Sequence, residues 1–338
     1  MTYQFLELDE TYNQQLLVLS RTTNTGSDLF YVDRSPNFFK LSEELGETRQ
    51  FGLFSDGELI GSVAVSMHKR IVDGECTNAY YLNDLRVHPN YQRTYAYYRL
   101  TKNLLDLYVK EGNVKWMFST ILDSNQNQAT IIKGTKILPR GKELGRTVHI
   151  GVPLFLKQPK SNYEVSELNG ENAWKIYKKL MNAKKFALCD KHVFLRDNGL
   201  FLVIKDKQEP LAFCKLVDQS NARKLRLARK LPFSFIVINL FCRVAGCPSL
   251  PSKEKEFLHS YVSYYAAKDS NQKYLSDFIS YIQRQYKQKY SYVFFGVSAK
   301  GAIFWERKLF HIKLTSTTYG YGDIPGNLSM DSHELTLI

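Results

Sequence analysis

The chain has 338 residues, of which 44% are hydrophobic, and its formal net charge is +13. A chain of this length buries a sizeable core and has room for about two domains. The positive charge favours anionic partners such as nucleic acid, a phosphorylated cofactor or a membrane surface, and an ordinary basic surface explains it equally well.

The five cysteines form no C-x-x-C pair, and their number is odd. This pattern argues against a cysteine metal site and predicts reduced thiols that act as small core residues. We therefore expect no metal and a cytoplasmic location.

Neither the N-terminal segment nor the long apolar run in the interior predicts membrane insertion. The segment Met1–Asn13 lacks the basic and apolar regions of a signal peptide. The apolar run Leu231–Cys247 is short for a membrane span and contains Asn239 and Arg243. It is therefore predicted to be a buried core element, and no transmembrane segment is expected.

The first elements are predicted to be a strand at Tyr3–Leu8, a helix at Asp9–Arg21 and a second helix within Leu29–Gly46. Two apolar runs then flank Asp56-Gly57, which is a strong hairpin signal. A charged turn is expected at Lys69–Glu75.

The stretch Tyr80–Asn103 is a strand that ends at His88-Pro89 and opens into a helix beginning near Tyr97. The free N–H groups and the dipole at such a helix start favour an anion. A buried strand at Lys115–Leu122 and a closing strand at Thr147–Phe155 are predicted to follow.

After a polar linker, Gln158–Asn162, the same order of elements is predicted to recur. VIKDKQEPLAFCKLV, residues 203–217, parallels LFSDGELIGSVAV, residues 53–65, as strand, charged turn, Glu and strand. The later strands and helix of this second pass are predicted at Phe257–Ala266, Lys273–Lys287, Tyr292–Val297 and His311–Thr317.

An insertion at 220–255 interrupts the second pass and begins with basic residues interleaved with leucines. This pattern predicts a basic amphipathic helix, which either contacts nucleic acid or a membrane or is simply a solvated face. The basic residues are Arg223, Lys224, Arg226, Arg229 and Lys230.

The strand–turn–helix stretch resembles the acetyl-CoA signature of the GCN5-related N-acetyltransferases (GNAT). The matching residues are Leu85, Val87, Pro89, Tyr91 and Gln92. The turn with Asn127 and Ala129 resembles the second motif of the family. The resemblance covers about residues 1–155 well, and the second half by the order of its elements.

The resemblance implies an α+β fold of two tandem GNAT-like domains, each a mixed, mostly antiparallel sheet flanked by helices. The boundaries expected are 1–157 for the acyl-CoA-binding domain and 163–338 for the second domain with its insertion. The second half lacks the Q/R-x-x-G-x-G loop, so it is not expected to bind CoA.

Acetyl-CoA is the co-substrate that the resemblance implies. The backbone at Leu85–Val87 would bind the thioester, the following turn would hold the pyrophosphate, and Asn127 would contact the pantetheine arm. The expected binding residues are Leu85, Arg86, Val87, Gln92, Arg93, Thr94, Tyr95, Ala96, Tyr97 and Asn127.

Two tyrosines, Tyr95 and Tyr97, stand where the family has small residues. Glycine is used in such turns because the backbone approaches phosphate closely. The tyrosines either supply a hydroxyl or fill the space of the missing glycines. The segment after Asn127 lacks the tyrosine that serves many relatives as general acid.

Asp84 and Tyr97 are the predicted catalytic residues, with Asp84 as the base for the acceptor amine. An ion pair with a basic neighbour is an equal alternative for Asp84. It shares a strand face with Arg86 because side chains alternate along a strand.

The sequence thus predicts an N-acyltransferase that moves an acetyl group from acetyl-CoA to an unidentified amine. One alternative is a non-catalytic GNAT-fold binding protein, and another is an aminoacyl-tRNA-dependent transferase that uses its positive charge to bind RNA.

Overall fold

The computed structural model describes residues 2–23, 30–72, 74–92, 94–125, 134, 140–157, 163–181, 186–196, 199–228, 234–306, 310–326 and 328. Within these ranges, thirteen strands form one continuous sheet, and two more form a separate ribbon. Helices cover both faces of the sheet.

The described residues of the N-terminal half form seven strands and three helices. In chain order they are β1 (Tyr3–Leu8), α1 (Asn13–Thr22), β2 (Phe30–Asp33), α2 (Lys40–Glu44), β3 (Glu47–Ser55), β4 (Glu58–Val72), β5 (Glu75–Val87), α3 (Ala96–Leu105), β6 (Trp116–Leu122) and β7 (Lys142–Pro153). A π-helical turn, Asp106–Glu111, extends α3.

The C-terminal half contains eight strands and five helices among the described residues. They are β8 (Val165–Leu168), α4 (Gly170–Met181), β9 (Phe186–Leu188), α5 (Lys191–Leu195), β10 (Leu200–Asp206), β11 (Glu209–Val217), β12 (Lys224–Leu227), α6 (Ser234–Ala245), β13 (His259–Ala267), α7 (Tyr274–Tyr286), β14 (Tyr292–Val297), α8 (Ala299–Glu306) and β15 (Ile312–Gly322).

The two faces of the N-terminal half have separate cores. On one face, Leu100 and Leu104 of α3 pack on the apolar side chains of β3 and β4. On the other face, Leu16 and Leu17 of α1 pack on Phe54 and its neighbours. This arrangement follows from the alternation of side chains along β4, and it leaves the carboxyl end of β5 open between the two layers.

The tandem architecture is confirmed by turn conformations and β-bulges that recur at equivalent positions in the two halves. The hairpin turns place Asp56 at φ 49° and Lys207 at φ 55°. A residue is bulged out two or three positions after each turn, Ile60 in β4 and Leu211 in β11. The internal repeat predicted from the sequence is therefore a repeat of backbone geometry, with mixed sheets and flanking helices in both halves.

The last strand of each half pairs with the other half. The order along the centre of the sheet is β5-β6-β15-β7-β14-β13. Thus β15 lies between β6 and β7, whereas β7 pairs with β14. The strand predicted to complete the first half, β7, pairs with β14 of the second half. The strand predicted to complete the second half, β15, pairs with β6 of the first half. This exchange joins the two halves into one sheet.

Several local predictions were wrong. The turn predicted over Lys69–Glu75 is confined to the end of that range, because β4 continues to Val72 and pairs with β5 from Glu75. The predicted basic helix after Ser220 is a strand over Lys224–Leu227, and it pairs with β2. Pairing with an edge strand favoured the extended conformation over the helical pattern.

The basic residues of this segment are engaged within the fold. Arg226 donates to Asp33 at 2.6 Å, and Arg223 is buried, with its guanidinium 4.9 Å from the ring centroid of Tyr261. Arg229 and Lys230 lie outside the described residues. The predicted basic contact surface is thus not formed by Arg223 and Arg226.

The apolar run that follows is only half buried. Ile238 and Cys242 of α6 face the core, but Ile236, Leu240 and Val244 are exposed. The prediction of a buried core element is therefore correct for one side of α6 alone. Among the described residues, none of the helices has the length and apolarity required to cross a bilayer.

The prediction that all cysteines are free thiols was wrong for two of them. Cys76 at the start of β5 forms a disulfide with Cys189, which follows β9. Cys214, Cys242 and Cys247 are free and buried, as expected of small core residues. The fold brings together two cysteines that are 113 residues apart in the sequence, so the spacing rules for local pairs could not find them.

Candidate functional site

The carboxyl end of β5 separates from its parallel neighbour β6. The two strands pair only at Tyr80 with Met117 and at Tyr81 with Phe118. Beyond Tyr81, no ladder joins Leu82–Val87 to β6 in the described part of the chain. The strands therefore splay, and backbone groups of β5 face a cleft in the middle of the sheet.

A bulge bends β5 inside this cleft. Asn83 pairs with Ala64 and Arg86 with Ser62, so Asp84 and Leu85 together oppose a single residue of β4. Asp84 adopts φ 49°, which lies in the left-handed region that aspartate tolerates better than most residues. Bulges of this kind redirect backbone and side-chain groups next to a site.

Asp84 forms a buried ion triad with two arginines. Nη1 of Arg34 donates to Oδ2 of Asp84 at 2.7 Å, and Nη2 of Arg86 donates to Oδ1 at 3.0 Å. Arg86 also donates to the carbonyl oxygen of Thr23, 2.9 Å away at the end of α1. The ion-pair alternative considered for Asp84 is thus present, and it ties the bulge to the helical layer above.

The triad governs the proton affinity of Asp84. Burial raises the pKa of its carboxyl, but the charges and hydrogen bonds of Arg34 and Arg86 outweigh burial and hold the pKa well below its usual range. A carboxylate with so low a pKa is a weak proton acceptor. The geometry therefore favours a positioning role over the base role predicted from the sequence.

The turn after β5 leads into α3 at Tyr95. Pro89–Tyr91 form a short 3-10 turn, and the side chain of Gln92 donates to the carbonyl oxygen of Val87 at 3.4 Å. The hydroxyl of Thr94 accepts from the N–H of Ala96 at 3.2 Å. The helix therefore starts beside the cleft, and Thr94 satisfies one of its first N–H groups.

Tyr95 does not fill the space of a missing glycine, because its side chain is 74% exposed. Its ring lies edge-on to Tyr98, with 6.3 Å between the centroids. The buried residue at the helix start is Ala96. The predicted binding residues Arg93 and Asn127 lie outside the described residues.

Tyr97 packs inward, against the apolar core under α3. Burial raises the pKa of its hydroxyl, which therefore stays protonated at neutral pH. It lies close enough to Tyr321 to raise the pKa of that hydroxyl as well, and burial is the larger cause there. Tyr321 and Ser119 form a hydrogen bond of 2.8 Å.

A cavity of about 340 Å³ includes Tyr321 in its lining. Its walls come from α3 and its π-helical extension, from the start of β6, and from the end of β15. Its apolar lining residues include Leu105, Val109, Val114 and Met117, and its charged ones are Lys102, Asp106, Lys110 and Lys115. The apolar part of this lining suits an apolar chain.

Comparison with protein-family models gives no match, and comparison with curated proteins gives none either. Solved structures match almost the whole chain. N-myristoyltransferase of Saccharomyces cerevisiae, solved with bound myristoyl-CoA, has a TM-score of 0.60 at 11% identity over 94% of this chain and 82% of that one. A GCN5-related N-acetyltransferase of Anabaena variabilis has a TM-score of 0.54 at 9% identity over 94% and 72% of the two chains.

A conserved protein of Enterococcus faecalis, described as a probable N-acyltransferase, matches 95% of this chain and 72% of its own with a TM-score of 0.53 at 8% identity. The chain has the GNAT fold. At these identities the match concerns the backbone fold.

The second copy of the GNAT fold repeats the bulge but carries different side chains. Tyr264 adopts φ 52° in β13, at the position equivalent to Asp84. It is buried against Phe194, 5.3 Å away between ring centroids, and Lys215 donates to the carbonyl oxygen of Phe194 at 2.6 Å. Aromatic packing thus replaces the ion triad in this half.

The GNAT fold gathers most of the described residues that the sequence singled out, since β5, the turn and α3 are contiguous. Sequence reasoning missed Arg34, which reaches Asp84 from the loop after β2, and Tyr321, which arrives on β15. Neither residue belongs to a local motif. A sequence argument could have pointed to an arginine partner in one way, since a buried carboxylate such as Asp84 requires a cationic partner.

Proposed function

We propose that the protein is an N-acyltransferase that uses an acyl-CoA. The observation that carries the proposal is the splay of β5 and β6, with a bulge at Asp84, in a fold shared with a transferase solved with bound myristoyl-CoA. Backbone N–H groups of Leu85–Val87 would donate hydrogen bonds to the thioester carbonyl oxygen and stabilise it as negative charge develops.

The start of α3 would hold the pyrophosphate. Gln92 and Thr94 precede Tyr95 and Ala96 at the start of this helix, and the predicted contact of Arg93 remains part of the proposal. The helix dipole favours an anion at this end. The predicted contact of Asn127 with the pantetheine arm remains part of the proposal.

Tyr97 would supply the leaving-group proton. The acceptor nitrogen attacks the thioester carbon, the C–N bond forms, the C–S bond breaks, and the thiolate takes the proton of the Tyr97 hydroxyl. The proton released by the amine passes to water, from which the Tyr97 oxygen is protonated again. Asp84 holds Arg86 and the bulge in place, so its role is to position the backbone N–H groups of β5.

The acyl group need not be acetyl. The apolar cavity of about 340 Å³ beside Tyr321 has room for a longer chain, which supports an acyl-CoA in general. A series from acetyl-CoA to myristoyl-CoA, titrated by calorimetry, would show whether affinity rises with chain length. A rise would support use of the cavity, whereas equal affinity would restrict the site to the CoA moiety.

Replacing Tyr95 tests the location of the pyrophosphate. Tyr95→Glu places a negative charge at an exposed helix start, where it does not harm the helix. We expect acyl-CoA affinity to fall about tenfold through charge repulsion, while the neutral control Tyr95→Gln changes it far less.

Unchanged acyl-CoA binding by Tyr95→Glu would contradict the placement of the pyrophosphate at α3. If the natural chain showed no binding to any acyl-CoA, the non-catalytic alternative would replace the enzyme. The tRNA-dependent alternative receives no support from the structure, because Arg223 and Arg226 are engaged within the fold.

A further inference from the structure

A second cavity, of about 680 Å³, lies beside α2 and shares no lining residue with the first cavity. Its walls come from the end of β1, from α2 and from the start of β3, and the C-terminal half contributes Arg196, Asp218 and Asn221. It therefore lies where the two halves meet, away from the cleft beside α3.

Gln50 is an unsatisfied polar group in the wall of this cavity. Its side chain is 2% exposed, yet neither amide atom has a hydrogen-bond partner among the described residues. The hydroxyl of Ser42, in the same wall, is also buried without a partner in the described part of the chain. Buried amides and hydroxyls are nearly always hydrogen-bonded, so these two groups mark a place for a polar ligand atom.

The wall carries more negative than positive charge, although the whole chain has a net charge of +13. Of its charged residues, three are basic: Lys40, Arg49 and Arg196. Six are acidic: Glu7, Asp9, Glu10, Glu43, Glu44 and Asp218. The excess of carboxylates favours a cationic ligand over an anionic one.

Hydrogen-bonding chemistry narrows the class of cation. An ammonium group donates three hydrogen bonds, which the amide oxygen of Gln50, the hydroxyl of Ser42 and one wall carboxylate can accept. Among the described residues, no group of three or more His, Cys, Asp or Glu side chains could hold a metal ion. The chemistry of the wall therefore suits an amine better than a metal.

We propose that this cavity binds one ammonium group of a linear polyamine. Resting on the proposed function, the ligand is the acyl acceptor, and the bound ammonium is not the nitrogen that reacts. Gln50 pairs with Ala64, which pairs with Asn83 at the start of the splay, so two strand spacings separate the cavity from β5.

Two strand spacings amount to about 10 Å. The acceptor must therefore carry two amine nitrogens at least about that far apart, which a linear triamine does and a simple monoamine does not. A monoamine acceptor would leave Gln50 and Ser42 unpaired. The cavity thus selects for the length and charge of the acceptor.

Calorimetric titration of the full chain with spermidine, at low salt and without acyl-CoA, tests the cavity. We expect binding that weakens as salt is added. Gln50→Leu removes the amide without changing the size of the side chain greatly, and it should raise the Kd about tenfold or more. Gln15→Leu, at an exposed position of α1, is the matched control and should leave the Kd unchanged.

The charge of the wall is tested separately. Glu10→Gln should weaken spermidine binding severalfold, whereas Glu47→Gln, an exposed position of β3 outside the wall, should not. Absence of spermidine binding by the natural chain, or equal binding by Gln50→Leu in a correctly folded state, would overturn the proposal.

Acyl-CoA titrations of Gln50→Leu separate this inference from the proposed function. Unchanged acyl-CoA affinity together with lost spermidine binding would support a distinct amine site. Spermidine binding that depends on Gln50 in a chain that never acylates spermidine would retain the cavity and overturn the acceptor role.

Discussion

Arg34 and Asp84 form an ion pair of 2.7 Å in which the arginine side chain is 1% exposed and the aspartate side chain 12%. The pair joins the loop after β2 to the bulge of β5, and Arg86 completes it from the same strand. It therefore couples the stability of the N-terminal half to the geometry of the cleft.

Asp84→Asn should destabilise the protein strongly. The substitution leaves Arg34 buried without a full counter-charge, which typically costs about 3–5 kcal/mol. Urea unfolding at pH 7 measures the loss, and Asp206→Asn, at an exposed position in β10, is the control. A loss no larger than that of the control would show that the triad does not hold the bulge.

The same pair gives a pH dependence whose sign follows from the lowered pKa of Asp84. The contribution is fully present above the unfolded pKa of about 3.9 and is lost as the pH falls below it toward the folded pKa. The difference in unfolding free energy between the natural chain and Asp84→Asn should therefore shrink below about pH 4.

His259 should produce a separate loss of stability at milder acidity. Burial is the main cause that lowers its pKa from 6.5 to about 4. As a neutral ring it donates from Nδ1 to the carbonyl oxygen of Phe257 and accepts at Nε2 from the hydroxyl of Tyr261. Because the folded pKa is lowered, stability is highest above 6.5 and falls by about 3 kcal/mol as the pH decreases toward 4.

His259→Gln should remove much of this slope, which unfolding experiments at pH 8, 6 and 5 would show. His68 is also buried, and burial, followed by the charge of Arg70, lowers its pKa, so a remaining slope of the same sign is expected from it. If the unfolding free energy of His259→Gln depended on pH as strongly as that of the natural chain, protonation of His259 would not destabilise the folded protein.

The exchange of strands predicts that the N-terminal half cannot fold alone. Residues 1–157 lack β15, so β6 and β7 would each present an unpaired edge in the middle of the sheet. We expect this fragment to unfold without cooperativity in a thermal melt followed by circular dichroism, and co-expression with 158–338 to restore a cooperative transition.

A cooperative, monomeric 1–157 fragment would contradict this dependence and would support the domain boundary predicted from the sequence. The reciprocal fragment serves as the control, since 158–338 contains β14 and β15 but lacks β7 between them.

The disulfide predicts the number of free thiols. Under non-reducing denaturing conditions, titration should find the three free cysteines, Cys214, Cys242 and Cys247, rather than five. Cys189→Ser should lower the unfolding free energy by about 2–4 kcal/mol, because the open chain gains conformational entropy. In excess reductant the natural chain and the variant should be equally stable, and five thiols would contradict the bridge.

Local signals predicted the first half well. Asp56-Gly57 between two apolar runs specified the β3–β4 hairpin, and the spacing of Tyr97, Leu100 and Leu104 specified the face of α3 that packs on the sheet. These features depend on residues within a few positions of one another, so periodicity and turn chemistry are sufficient to predict them.

Sequence patterns gave wrong predictions where contact with a distant strand or side chain determined the local structure. Lys224–Leu227 has a helical pattern of charge and leucine, but pairing with β2 makes it a strand. Asp84 was predicted to act as a base, but Arg34, 50 residues away in the sequence, forms an ion pair with it and lowers the pKa of its carboxyl. Such contacts are set by the packing of layers rather than by neighbouring residues.

Hydrophobic periodicity and turn residues along contiguous stretches are enough to predict the internal repeat and the strand–turn–helix stretch of β5 and α3. They do not predict which strands are neighbours, and it is the packing of the two halves that places β15 and Tyr321 next to β6. The lowered pKa of Asp84 and the lack of a partner for the Gln50 amide among the described residues likewise depend on groups that meet only after the layers have packed.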